Sequence, residues 1–175
     1  MPHMTLRNIL IHPDPHLKKV CKPVRNVDAK IRKLAGDMLE TMYDAPGIGL
    51  AGPQVAVMKR IFVIDCSDKD GAPDPMIIIN PEITWVSEDV NTYDEGCLSI
   101  PEIYEPVTRP ALVRMSYLDA DGKSHEDEFD EIYATAVQHE LDHLDGILFI
   151  DYLSKMKRAM ITSKMKKLKK ELARD

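Results

Sequence analysis

Cysteine is scarce in this chain: Cys21, Cys66 and Cys97 are its only three in 175 residues, an odd number at irregular spacing. That excludes the disulfide framework of a small secreted domain and leaves thiols, so a reducing, cytoplasmic compartment is expected. No stretch approaches the roughly 18 apolar residues of a membrane span. The N-terminus also lacks the charged-then-apolar pattern of a secretory leader, so an unprocessed, soluble chain with no membrane partner is expected. Met1 to Met4, where Pro2-His3-Met4 precedes another plausible start, are kept out of the fold reading. There is no excess of positive charge either: 23 Lys+Arg face 29 Asp+Glu, a net of −6. A surface that grips DNA throughout is therefore excluded. No repeat, low-complexity run or linker divides the chain, and residues 1–175 read as a single domain.

What is present is ordinary material for a packed core, 44% hydrophobic and 30% charged residues. The charge is unevenly spread, because residues 155–175 carry nine basic side chains against two acidic ones and the remainder of the chain is acidic. Ile31, Leu34, Ala35, Met38, Leu39 and Met42 recur at helical spacing from Asp28 to Ala45, with Asp28 as N-cap and Pro46-Gly47 as the stop. Arg60–Asp65, Met76–Asn80, Ile83–Val90, Leu112–Leu118 and Ser124–Asp130 read as strands, the last two joined at Asp121-Gly122. A helix follows from about Glu131 to Asp145, ended by Gly146. A final basic helix from about Ser154 has Met156, Met160, Met165, Leu168 and Leu172 on one stripe. Helix, several strands, helix, helix is an α+β order: antiparallel β-sheets packed around a central helix, with an N-terminal helix and a long C-terminal helix.

The central helix carries His139-Glu140-Leu141-Asp142-His143. Residues four apart share a helix face, so both imidazoles can grip one cation while Glu140 is offset to act on water. A catalytic metal usually takes a third protein ligand. The histidine completion of H-E-x-x-H-x-x-G-x-x-H fails, because Phe149 stands at its place. The only later glutamate, Glu171, lies deep in the lysine-rich tail. Cysteine remains, with Cys97 in Glu95-Gly96-Cys97-Leu98-Ser99 preferred over Cys66 and Cys21, which read as small buried hydrophobes. A third feature, Gly47-Ile48-Gly49-Leu50-Ala51-Gly52-Pro53-Gln54, exposes backbone beside apolar side chains and carries an amide donor, although it reads equally as a turn.

Taken in order, these three segments resemble the signature segments of the peptide deformylase family, roughly G-φ-G-φ-A-A-P-Q, E-G-C-φ-S and H-E-φ-D-H with φ apolar. The resemblance extends to His12-Pro13-Asp14, Lys22-Pro23-Val24 and the last helix. It implies one catalytic domain with Cys97, His139 and His143 holding a divalent metal. Ferrous iron is expected in the cell, although zinc, nickel or cobalt suits the same donors. It implies N-formylmethionyl peptides as substrate, Glu140 as the base toward water, and the Leu98 N–H and Gln54 amide as oxyanion donors. It further implies main-chain contacts at Ile48, Gly49 and Gly96, an apolar methionine pocket from Ile48, Ile132 and Ala136, and a pair of Glu95 with Arg109 behind the ligands. Gly52 replaces the second alanine of the pattern, which is expected to loosen the backbone before Gln54. The region of Ile103, Tyr104 and Glu105 lacks a basic residue often present near the family's groove, so preference beyond methionine is expected to differ. The basic tail reads either as a solvated helix face or as a surface that docks on the ribosome through RNA phosphates. Two other readings compete: a cytosolic zinc metallopeptidase, and a non-catalytic metal-stapled module riding on ribosomes.

Overall fold

Among the described residues the computed structural model has, besides short 3-10 turns, the α-helices and strands α1 (Ala29–Asp44), β1 (Gly49–Ala51), β2 (Ile61–Ile64), β3 (Met76–Val86), β4 (Val90–Cys97), β5 (Ile100–Pro110), β6 (Leu112–Leu118), β7 (Ser124–Asp130), α2 (Glu131–Leu144) and α3 (Lys155–Ala173). Residues 5–175 are described, and Met1 to Met4 lie outside them. The α+β expectation is met. β1, β2, β3, β6 and β7 form a five-stranded antiparallel sheet in the order β1-β2-β3-β6-β7, and β4 pairs with β5 in a separate two-stranded sheet.

Alternation along β2 explains how the two first helices sit. Ile61 and Val63 pack with Ile31, Leu34, Ala35, Met38 and Met42 of α1. Phe62 and Ile64 point the other way, into a cluster with Ala134, Ala136 and Val137 of α2. Both faces of this strand are therefore buried, which accounts for its unbroken apolar run. Asp28 caps α1 as expected, its carboxylate accepting the Ile31 N–H at 3.0 Å. Gly146 ends α2 with a φ of 75°.

Three sequence expectations are corrected. Met76–Asn80 and Ile83–Val90 are not two strands; β3 runs through both, and Val90 opens β4 instead. Asn80 adopts a left-handed φ of 50° and the pairing with β6 shifts register between Ile79 and Glu82, so the ladder bulges around Pro81, which has no N–H to contribute. The β4–β5 hairpin that carries Cys97 had no counterpart in the sequence reading of residues 91–111, where prolines at 101, 106 and 110 and interspersed charges obscure the alternation. The stripe on α3 also differs. Ile161 and Met165 are its buried side chains, with Leu168 partly buried beside Leu17, Ile100 and Phe149, whereas Met156, Met160 and Leu172 are 75%, 58% and 55% exposed. Neighbouring helix positions lie about 100° apart, so Met160 faces away from the surface that Ile161 meets.

Candidate active site

α2 delivers His139 and His143 from one face, and the end of β4 delivers Cys97 across from them. The three ligand atoms all lie within 4.8 Å of one another, and Cys97 Sγ is 3.4 Å from His143 Nε2. Donors bound at zinc-like distances on a tetrahedral centre sit about 3.5 Å apart, so one cation fits this spacing. The other two cysteines are elsewhere. Burial pushes the Cys21 thiol up to about 11 and the Cys66 thiol up to about 12, which keeps both protonated and poor as ligands.

The surroundings fit a cation as well. His139 Nδ1–H donates to Glu95 Oε1 at 2.9 Å, leaving Nε2 with a free lone pair toward the cluster. Glu95 is itself clamped by Arg109 through Nε at 2.7 Å and Nη2 at 2.9 Å, a bidentate pair that is almost wholly buried. This is the pair expected from sequence. Two further members were missed: Arg109 Nη1 donates to Asp142 Oδ2 at 2.8 Å, and Tyr152 donates to the same oxygen at 2.7 Å. The Asp142 signal was available inside the H-E-x-D-H pentad, while Tyr152 had none. Burial opposes charge on His139, yet Glu140, Cys97 and Glu95 outweigh it and hold its pKa well above the usual value. His143 is held well below the usual value by burial and by the positive charge of its neighbours. The surroundings of His139 thus favour positive charge at its ring, which a bound cation would supply in place of a proton.

Glu140 is buried, and its Oε1 has no hydrogen-bond partner. Its Oε2 lies 3.9 Å from His139 Nε2. Burial pushes its pKa up to about 7, suited to exchanging a proton near neutrality. Gly49 makes room for it, since a Cβ there would lie 2.5 Å from Glu140 Oε2. On the other side Gln54 is locked in place. Its Oε1 accepts the Ala51 N–H at 2.9 Å, while Nε2 donates to Ser99 Oγ at 3.0 Å and reaches Cys97 Sγ at 3.4 Å. Gly52 does not leave this turn loose. Its carbonyl accepts the Val57 N–H at 2.9 Å, and a Cβ on it would meet Val57 O at 2.6 Å, so the backbone has closed into the space of the missing methyl.

These groups open into a cleft of about 740 Å³. Ile48, Gly49, Gln54, Gly96, Cys97 and Leu98 line it together with His139 and Glu140. Ile132 and Ala136 do not: Ala136 is buried in the core against the sheet, and Ile132 is 38% exposed on the first turn of α2. Asp94 and Glu102 line the cleft too, and among the described residues no lysine or arginine does.

Comparison with known proteins agrees with this geometry. A family model described as polypeptide deformylase matches residues 6–159. The chain is 53% identical over 175 residues to the peptide deformylase of Nitrobacter hamburgensis, covering 98% of this chain and 100% of that one. It is 54% identical over 170 residues to that of Mesorhizobium japonicum, covering 97% of each. Among solved structures, the Ehrlichia chaffeensis peptide deformylase in complex with actinonin superposes with a TM-score of 0.90 at 39% identity, covering 94% of this chain and 98% of that one. A Legionella pneumophila peptide deformylase gives a TM-score of 0.89 at 42% identity, covering 98% and 99%.

Proposed function

The chain belongs to the peptide deformylase family and removes the N-formyl group from nascent polypeptides, and we propose that Glu140 is its proton-transfer residue, with Cys97, His139 and His143 as the metal ligands. The observation that carries this reading is a buried carboxylate with an unpartnered oxygen that lines an open cleft with a thiol and one imidazole, the second imidazole lying buried against that thiol. When bound, the metal supplies Lewis-acid chemistry, acidifying water and drawing electrons from a carbonyl oxygen. Glu140 takes a proton from water as its oxygen attacks the formyl carbon. Gln54, held by Ala51 and Ser99, presents to the oxyanion the N–H that lies toward Cys97 Sγ, and the Leu98 N–H meets the same charge. Glu140 then returns the proton to the departing amine as the C–N bond breaks, giving formate and a free N-terminus.

β1 is the edge strand of the five-stranded sheet and borders the cleft, so an extended peptide can add beside Ile48 and Gly49 and meet Gly96 opposite. Ile48 forms the near wall for methionine, and the α2 positions Ile132 and Ala136, which lie outside the cleft lining, are left out of that pocket. Ferrous iron is the proposed metal, in a reducing cytoplasm that keeps the Cys97 sulfur from oxidation; zinc, nickel and cobalt are accepted by the same donors. Residues 1–175 act as one catalytic domain. The lysines of α3 form a docking face for ribosomal RNA phosphates, and a truncation lacking Lys164–Lys170 that still bound ribosomes in a salt-sensitive way would exclude it.

The deciding experiment is formate release from formyl-Met-Ala-Ser under anaerobic conditions, with metal analysis. Glu140→Gln is expected to keep its metal and lose activity by about 10²–10⁴-fold. Cys97→Ala is expected to lose both. Full activity in Glu140→Gln would remove it from the chemistry, and cleavage of unformylated peptides would favour a metallopeptidase.

A further inference from the structure

The rim of the cleft between α1 and β1, residues 45–48, is tied down at both ends by one residue that does not itself line the cleft. Asp65 follows β2 and is 7% exposed. Its N–H donates to Ile48 O at 2.9 Å, at the downstream end of the rim. Its Oδ2 accepts the Tyr43 hydroxyl at 2.5 Å, from the last turn of α1 just upstream of the rim. The remaining capacity of the carboxylate organises the loop after β2. Oδ1 accepts the Ser67 N–H at 3.0 Å and the Ser67 hydroxyl at 2.5 Å, and Oδ2 accepts the Asp74 N–H at 3.1 Å.

All of these donors are uncharged. A buried carboxylate held only by neutral donors keeps a desolvation cost, and in exchange its charge strengthens each bond it accepts. Burial works against ionisation of Asp65, but Ser67, Tyr43 and Asp74 outweigh it and hold its pKa below the usual carboxylate range.

The rim matters because its residues face the reacting centre. Ala45, Pro46, Gly47 and Ile48 all line the cleft. Gly47 packs so closely on Leu98 that a Cβ would lie 2.8 Å from Leu98 Cδ1, and its N–H is held by Met42 O at 2.8 Å. The Gly47 contact with the Leu98 side chain is thus fixed from α1 independently of Asp65, and a rim released at Ile48 shifts the backbone that runs into β1.

We propose that Asp65 is a positioning residue for the known reaction, which with Tyr43 clamps the Ala45–Ile48 rim so that β1 presents its backbone to the residues following the formylated methionine. This rests on the assignment of Ile48 and Gly49 to the peptide main chain. It places specificity for peptide length in a hydrogen-bond hub behind the cleft, away from the metal ligands.

The test compares two substrates on each enzyme preparation: formyl-Met-Ala-Ser, which extends along the rim, and formyl-Met, which does not. Asp65→Asn retains one acceptor for Ser67 but turns an NH2 group toward the Tyr43 and Asp74 donors. It is expected to raise KM for formyl-Met-Ala-Ser about tenfold while kcat on that peptide and kcat/KM on formyl-Met change by less than about twofold. Tyr43→Phe removes one bond at the more exposed end of the clamp, and is expected to move the same ratio of KM values about threefold in the same direction. Unlike Asp65→Asn, it buries no mismatched donor, so it decides the matter if Asp65→Asn fails to fold. Losses that are equal on both substrates in Tyr43→Phe, or an unchanged ratio, would overturn the clamp. If the unmodified enzyme shows equal KM for both peptides, the rim does not bind main chain at all, and the underlying assignment fails instead.

Discussion

Gly49 and Glu140 show how much chemistry one absent methyl group permits. The first segment reads from sequence as a turn with a possible ligand role. In the folded protein Gly49 starts β1, paired with Ile64, and the base packs against its Cα where a side chain would stand. Gly49→Ala is expected to push the Glu140 carboxylate aside and lower kcat by about tenfold or more with little change in melting temperature, read by formate release beside thermal denaturation. An alanine with wild-type kcat would mean that the carboxylate has room to spare. Gln54 was legible as a donor, but its lock was not. The lock needs Ser99 and Cys97, which lie more than 40 residues away in sequence.

At the scale of elements, the local signals that worked were those confined to one turn or one face. Asp28 as cap, Gly146 as stop and the two α2 histidines are set by neighbours within four residues, and each stands where the spacing puts it. α3 failed as a stripe because its sequence offers apolar residues on two faces, and only Leu17, Ile100 and Phe149 decide which is covered. Ile161→Ala or Met165→Ala is expected to cost about 2–5 kcal/mol, and Met156→Ala or Met160→Ala less than about 0.5 kcal/mol, measured by urea denaturation. The reverse ranking would show that α3 docks by its other face. The β4–β5 hairpin was invisible for a related reason. Its strands are interrupted by charged residues and by Pro101, Pro106 and Pro110, and they are aligned by cross-strand pairing and by the Glu95–Arg109 pair rather than by a simple apolar alternation.

Charge acts on the molecule as a whole, and its separation into an acidic body and a basic terminal helix bears on partners more than on folding. One buried carboxylate does bear on folding. Asp37 of α1 accepts the Thr5 N–H at 2.9 Å and ion-pairs with Arg7 and Lys33, each at 3.1 Å, tying the N-terminal segment to the helix. Burial raises its pKa, but these partners outweigh it and leave the group below the usual carboxylate range. A depressed folded pKa stabilises above the unfolded value of about 3.9, and the contribution disappears as pH falls through the folded value. The melting temperature of the native chain should therefore exceed that of Asp37→Asn by a constant margin above about pH 5, and the margin should close below about pH 4. A margin unchanged down to pH 3 would show that the carboxylate charge is not what holds Thr5 and Arg7.

By itself the sequence determined what depends on short separations: an α+β order of elements, a helix presenting two imidazoles on one side with a glutamate beside them, and three motifs specific enough to imply the family. The resemblance carried by those motifs also pointed to Cys97 and to a Glu95–Arg109 pair; tertiary structure alone decided that Glu95 orients His139, that Asp142 and Tyr152 join Arg109, that Gln54 is locked against Ser99, and that Asp65 reaches both ends of the cleft rim. The division has a simple physical origin. Helical spacing and caps are written in bonds between near neighbours, whereas these contacts join residues about 10 to 46 positions apart, and only the packing of β4 and β5 against α2 and of β1 against β2 brings them within hydrogen-bonding reach.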